Sequence, residues 1–113
     1  MRTGRKRAIA TASGVLLLSA LGVTSIPTEA QEGGAALYKT KCAACHGADG
    51  KGETSIGKAN KLRDFGSADV QQQSDADLTG IITNGKGKMP AYGKSLKPEQ
   101  VKDLVSYIRS LKK

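Results

Sequence analysis

The chain has 113 residues, with 18 Lys and Arg against 10 Asp and Glu, a formal net charge of +8, and 38% hydrophobic residues. That length allows one small domain. The positive charge is spread along the chain without a nucleic-acid-binding motif, which argues against DNA or RNA as a partner; one histidine and two cysteines fall short of the four protein ligands of a structural zinc site.

The first thirty residues differ in composition from the rest. Arg2, Arg5, Lys6 and Arg7 give a basic start, and Ala8 to Ile26 carries no charge and centres on Val15, Leu16, Leu17 and Leu18. A short polar stretch from Thr24 to Ala30 follows. This order predicts a secretory signal peptide over residues 1–30, cut after Ala30 where Thr28-Glu29-Ala30 presents small residues. The alternative is an uncleaved anchor, but the uncharged stretch of 19 residues is diluted by Thr, Ser and Gly and falls just under a membrane-spanning length. The remainder, residues 31–113, carries 14 basic and 9 acidic residues, about +5. A domain of this size buries little apolar surface and usually recruits a disulfide, metal or cofactor. Tyr38, Phe65, Tyr92 and Tyr107 are its only aromatic residues, so something other than side chains is expected to fill part of its core.

Three main helices are expected. The first runs from about Gly33 to Cys42, weakened by its glycines and therefore dependent on packing. The second covers Asp75 to about Asn84: Ser74 is a good N-cap, Asp77 completes a capping-box pattern, Leu78, Ile81 and Ile82 make an apolar face, and Gly85 supplies the stop. The third starts at Pro98, and Val101, Leu104, Val105, Ile108 and Leu111 form one buried stripe. A weaker helical piece is placed at Ser67 to Gln73. Loops rich in Gly, Lys and Asp occupy His46 to Lys61 and Gly85 to Leu96, and no stretch reads as a strand.

Cys42-Ala43-Ala44-Cys45-His46 carries the chemistry. C-x-x-C-H is the pattern of covalent haem attachment. One helical turn sets the two sulfurs beside two vinyl groups on one porphyrin edge, and His46 follows as the proximal iron ligand. A thioredoxin-type reading wants a βαβ pattern that is not present, and a bare disulfide leaves His46 without a role. Met89 is the other candidate iron ligand. It lies in the glycine-rich loop Gly85 to Tyr92 and not on a helical stripe, and Pro90 stiffens the backbone after it. With His46 and Met89 both bound the iron has no open position, which favours electron transfer over ligand chemistry, and methionine raises the reduction potential.

With these residues in view, the chain resembles the small single-haem class I c-type cytochromes, especially the short soluble kind of bacteria and photosynthetic organisms. The resemblance covers nearly all of Gly33 to Lys113. It rests on Gly34 and Tyr38, on Cys42 to Gly47, on Lys88-Met89-Pro90-Ala91-Tyr92, and on Leu104 to Ile108. It implies an all-α fold, three main helices and long loops wrapped around one covalent haem c with its iron. First and last helices are then expected to cross at Gly34, with Tyr38 near Leu104 and Tyr107. Many relatives carry a proline after the haem site whose carbonyl accepts a bond from the ligand histidine. Here Ser55 to Asn60 has none, and a backbone carbonyl near Gly57 is expected to serve instead.

Arg63 is a candidate to pair with a haem propionate, and Tyr92 to pack on the ring. Lys86 and Lys88 are expected beside an exposed haem edge, where they would steer redox partners with acidic docking surfaces. The functional expectation is a periplasmic, or lumen-like, mono-haem carrier of single electrons. It would act on no small-molecule substrate, would not be an enzyme, and would touch the membrane only through partners unless its N-terminus is retained. The alternative is a membrane-tethered or complex-bound relay subunit. A haem enzyme such as a peroxidase would need Met89 free or easily displaced.

Overall fold

The computed structural model describes residues 29–113 together with Gly14 and Gly22, so the expected signal segment lies almost wholly outside the described residues. Six helices follow in chain order: α1 (Glu29–Lys41), α2 (Ala43–His46), α3 (Ser55–Ala59), α4 (Ala68–Gln71), α5 (Asp75–Asn84) and α6 (Pro98–Ser110). Among the described residues the only β-type pairing is an isolated bridge between Lys86 and Met89. The fold is all-α, as expected. No helix of the described residues is long and apolar enough to cross a membrane.

The frame is the crossing of α1 with α6, the most extensive pairing of elements. Gly34 is buried there, and a Cβ on it would meet the Asp103 carbonyl carbon at 2.8 Å and Tyr107 Cβ at 3.0 Å. Only a residue without a side chain lets the two backbones come this close. One turn further on, the Tyr38 ring lies 4.9 Å from that of Tyr107, tilted by 47°, and its hydroxyl donates to the Gly47 carbonyl at 2.7 Å. Along α6, Val101, Leu104, Val105 and Ile108 are all buried, as their spacing requires, whereas Leu111, expected to complete the stripe, lies just past the helix and is only half-buried.

Helix α5 has the expected bounds because its ends are written locally. The Ser74 hydroxyl accepts from Asp77 N at 3.0 Å, and Ser74 N donates back to the Asp77 carboxylate at 3.2 Å. These bonds hold the Asp77 carboxyl below the usual aspartate range. Leu78 and Ile82 bury the apolar face against the core shared with α6. Helix α1 begins at Glu29, four residues before the expected Gly33, so the expected cut after Ala30 falls in its first turn. Helix α3 was expected to be loop. Thr54 caps it by accepting from Gly57 N at 2.8 Å, and it ends with Leu62 N donating to Gly57 O at 2.8 Å and Lys61 N to Lys58 O at 3.2 Å. This paired ending puts Lys61 in the left-handed region at φ 53°.

The segment between α4 and α6 is tied by one arginine. Arg109 donates to the Asp75 carboxylate at 2.9 Å and to the carbonyls of Gln71 and Gln73 at 2.9 and 2.5 Å. Gln71 in turn donates to Phe65 O at 2.7 Å and Ile108 O at 2.9 Å, which fastens the loop before α4 to the last helix.

Candidate functional site

The cysteine-histidine motif folds as a helical turn that continues α1. Cys42 N donates to Tyr38 O at 2.9 Å, His46 N to Cys42 O at 3.0 Å, and Gly47 N to Ala43 O at 2.8 Å. Cys42, Cys45 and His46 therefore sit on one turn, and all three line one cleft of about 280 Å³. Both cysteines are free thiols, which disposes of a disulfide between them in this conformation. Burial first, and the neighbouring Cys45 second, push the Cys42 thiol up to about 11.

The opposite wall comes from the loop after α5. Gly85 N closes the helix on Ile81 O at 2.9 Å, and the Lys86–Met89 bridge then folds the chain into a tight turn with Gly87 at φ 57°. The return is stitched back to α5 by Tyr92 N on Ile82 O and Gly93 N on Thr83 O, both at 3.0 Å. Gly85 is at φ 75°, and a Cβ on it would meet Ala91 N at 2.9 Å and Met89 O at 2.6 Å. The loop that presents Met89 is thus closed on itself and on α5. Met89 is half-buried and packs against the hydrophobic core.

A second cleft of about 350 Å³ adjoins the first. His46, Leu62, Lys86 and Met89 line both, so the two are parts of one slot. Leu78, Ile81, Ile82 and Val70 supply its apolar floor. Of the remaining candidates, Tyr92 lines the first part and its hydroxyl donates to Lys41 O at 3.1 Å. Arg63 lines the second part and is exposed. With the Gln73 amide oxygen turned toward it, the guanidinium donates to that oxygen at 2.9 and 3.0 Å. Lys41, Lys86 and Lys88 are exposed at the rim.

His46 departs from expectation. Its Nδ1 is buried without a hydrogen-bond partner. No carbonyl near Gly57 reaches it; Gly57 O accepts from Leu62 N in the closing turn of α3. The imidazole instead stacks on Phe65, with ring centroids 4.5 Å apart and planes 24° apart. Sequence reasoning missed Phe65; its being the only phenylalanine in an aromatic-poor chain was the one available signal. Burial lowers the pKa of His46, which keeps the ring in the neutral form that coordinates metal.

These residues fit a covalently held iron porphyrin. Two free thiols lie one turn apart on one wall, a half-buried neutral imidazole follows them, a thioether comes from the facing loop, and the slot between is largely apolar.

The family model for "Cytochrome C oxidase, cbb3-type, subunit III" matches residues 29–108. The chain is 35% identical over 78 residues to cytochrome c6 of Gloeothece citriformis, covering 66% of each chain, and 35% identical over 75 residues to cytochrome c6 of Aphanizomenon flos-aquae, covering 83% of that protein and 66% of this chain. It is 36% identical over 85 residues to the cbb3-type cytochrome c oxidase subunit FixP of Azorhizobium caulinodans; the match takes in 74% of this chain but only 28% of FixP. Among solved structures, the KustC0563 c-type cytochrome superposes with a TM-score of 0.66 at 36% identity, covering 71% of this chain and 98% of that one. The chain belongs to the class I c-type cytochromes, the small all-α proteins that carry covalent haem c.

Proposed function

We propose that this protein is an exported single-electron carrier. In this reading Cys42 and Cys45 would form thioethers to one haem c, and His46 and Met89 would supply the nitrogen and sulfur ligands of its iron. The observation that carries the reading is the convergence of these four side chains, from the residue joining α1 to α2, from α2 and from the loop after α5, on one apolar slot. When bound, the haem supplies a one-electron couple between ferric and ferrous iron. The chain's own part is to exclude water and hold both ligands still. His46 is kept neutral by burial, and the Met89 loop is pinned by the Tyr92 and Gly93 bonds to α5, so little needs to rearrange when an electron arrives or leaves. The methionine sulfur favours the ferrous state and raises the potential. No substrate bond is made or broken, so the protein is a carrier and not an enzyme.

Redox proteins are the partners in this reading. Exposed Lys41, Lys86 and Lys88 at the slot mouth favour acidic docking surfaces, and electron exchange with such a partner slows as salt rises. Residues 1–30 act as a signal peptide cut after Ala30, delivering a domain of residues 31–113 to the periplasm or an equivalent exported compartment. Arg63 serves a haem propionate, and Tyr92 packs on the ring.

A reduced-minus-oxidised spectrum of the exported protein, taken with its intact mass, tests the reading. The expected result is the cleaved polypeptide plus one haem, low-spin iron, and a methionine-to-ferric-iron band that Met89→Ala abolishes while lowering the potential. A plain polypeptide mass refutes it.

A second reading, a subunit held in an oxidase complex, is favoured by the match of residues 29–108 to a cbb3-type subunit family. Purification from membranes separates the two: a carrier is released in the soluble exported fraction, whereas a subunit stays with its complex or keeps its N-terminus.

A further inference from the structure

The buried Nδ1 of His46, at the end of α2, has no acceptor, and the carbonyls of the end of α2 and of α3 serve other donors. Cys45 O accepts from the Thr54 hydroxyl at 2.6 Å, and His46 O from Gly52 N at 2.8 Å. Ile56 O accepts from both Asn60 N and Asn60 Nδ2 at 3.0 Å, and Gly57 O and Lys58 O close α3 on Leu62 N and Lys61 N. With these carbonyls serving α3 and its caps, none lies within hydrogen-bonding reach of the imidazole nitrogen. A carbonyl bonded to a ligand histidine normally does two things: it fixes the rotation of the ring, and it raises the basicity of the ligating nitrogen. Here another group must do the first, and the second is missing.

Phe65 is built for the first task. Its face lies against the imidazole at 4.5 Å and 24°. Its backbone is held on both sides, by Phe65 N on Gly50 O at 2.9 Å and by Gln71 Nε2 on Phe65 O at 2.7 Å. The edge of its ring meets Tyr38 with centroids 6.2 Å apart and planes at 70°. Gly50, at φ 74°, leaves it room, since a Cβ there would come within 3.2 Å of Phe65 Cδ2. A flat ring fixed at this distance restricts rotation of the ring beside it, because turning the imidazole would drive its edge into the aromatic face.

We propose that Phe65 is the positioning residue that sets the plane of the His46 ring, by stacking in place of the hydrogen bond that the loop withholds. The inference rests on His46 being an iron ligand and concerns how this chain orients it. A ligand ring without an acceptor is the weaker donor, so the same geometry favours the ferrous state and a higher potential.

The test uses holoprotein. Proton NMR of the oxidised form reads the plane of the axial ligands through the pattern of haem-methyl shifts, and the midpoint potential is measured alongside. Phe65→Leu, which keeps apolar bulk but removes the flat face, is expected to reorder the methyl shifts and move the potential while the methionine band persists. Phe65→Tyr is expected to restore the original order. Nitrogen-15 NMR of the unmodified ferrous protein is expected to show the His46 Nδ1–H free of a carbonyl acceptor. An unchanged methyl order and potential in a folded, His/Met-ligated Phe65→Leu protein overturns the proposal, as does a strongly hydrogen-bonded Nδ1–H in the unmodified one. The second measurement decides the matter if Phe65→Leu yields no holoprotein. Loss of the methionine band or of the haem mass in the unmodified protein would instead refute the ligation itself, so the two failures are told apart.

Discussion

Alanine at position 34 should destabilise this protein, and alanine at position 80 should stabilise it, although both replace a glycine inside a helix. Alanine gains up to about 1 kcal/mol over glycine from helix propensity alone. At Gly80, in α5, a Cβ meets nothing within 4 Å, so that gain is realised. At Gly34 the Cβ would lie 2.8 Å from the Asp103 carbonyl carbon, 3.0 Å from Tyr107 Cβ and closer still to the Asp103 carbonyl oxygen. Two of these three atoms are backbone, so relief requires α1 and α6 to separate until the carbon contact reaches about 3.5 Å. Overpacking of this kind costs about 1–3 kcal/mol, and the crossing also carries the Tyr38–Tyr107 pair. With rigid backbone atoms in the way the cost falls in the upper part of that range, about 2–3 kcal/mol; less the propensity gain, the net loss is about 1–2 kcal/mol, which in a domain of this size lowers Tm by roughly 5–15 °C. Thermal unfolding of both holoproteins by far-UV circular dichroism gives the comparison. If Gly34→Ala melts at or above the parent, or Gly80→Ala melts below it, the close-approach argument is wrong.

Three further outcomes can be checked the same way. Tyr38→Phe keeps the buried ring and loses only the bond to Gly47 O, which retains its 3.1 Å bond from Gly50 N; the expected cost is therefore modest, about 0.5–1.5 kcal/mol, and a neutral result in urea titration would show the hydroxyl to be dispensable. Lys61 is exposed at φ 53° in the closing turn of α3, so Lys61→Gly should gain about 0.5–1 kcal/mol by removing the left-handed penalty; an unchanged or lower midpoint would contradict this. Asp64 is held below the usual range first by the Lys113 ammonium and then by Gly66 N, and Asp77 by Ser74. Both pKa values are lower in the folded chain, so their contribution is complete above the ordinary aspartate value of about 3.9 and fades as pH falls through it toward the folded values. Unfolding midpoints measured down an acid series should drop accordingly, and Asp64→Asn should flatten the slope; a slope unaltered by Asp64→Asn would remove that pair from the account.

What could be read in the sequence was what is written locally. The α5 bounds follow from Ser74, Asp77 and Gly85, and the α6 stripe from spacing alone. The thiol pair and His46 were legible because one helical turn is itself a three-residue pattern, and Met89 because it is the lone methionine of a glycine-rich loop. Of the short helices, α4 falls within the weak piece placed at Ser67 to Gln73 and α2 within the turn inferred from the cysteine-histidine spacing, but α3 was not legible, because its five residues give no period to detect. The start of α1 was placed four residues late: its glycines weaken the helical signal, whereas packing against α6 holds the helix. Neither the partnerless His46 nitrogen nor its stacking on Phe65 could be foreseen. Both depend on where the eighteen intervening residues fold, and on α3 forming where a loop was expected.

Three of the four aromatic residues of this chain pack together with His46. Tyr107 touches Tyr38, Tyr38 meets Phe65 edge-on, and Phe65 stacks on His46, so a single column of rings runs from the helix crossing to the His46 imidazole. Gly34 sits at its far end, against Tyr107. Pushing α1 from α6 must move Tyr107 relative to Tyr38, and any shift of Tyr38 reaches the ring that orients His46. Stability and ligand orientation are then coupled through one set of contacts and should respond together to Gly34→Ala: a lower Tm accompanied by displaced haem-methyl shifts. Gly80 has no neighbour in that column, so Gly80→Ala should change Tm and leave the methyl shifts where they were. A Gly34→Ala protein that melts early yet keeps the parent methyl pattern would mean that Phe65 is anchored by its backbone bonds to Gly50 and Gln71 alone, with the tyrosines serving only the core.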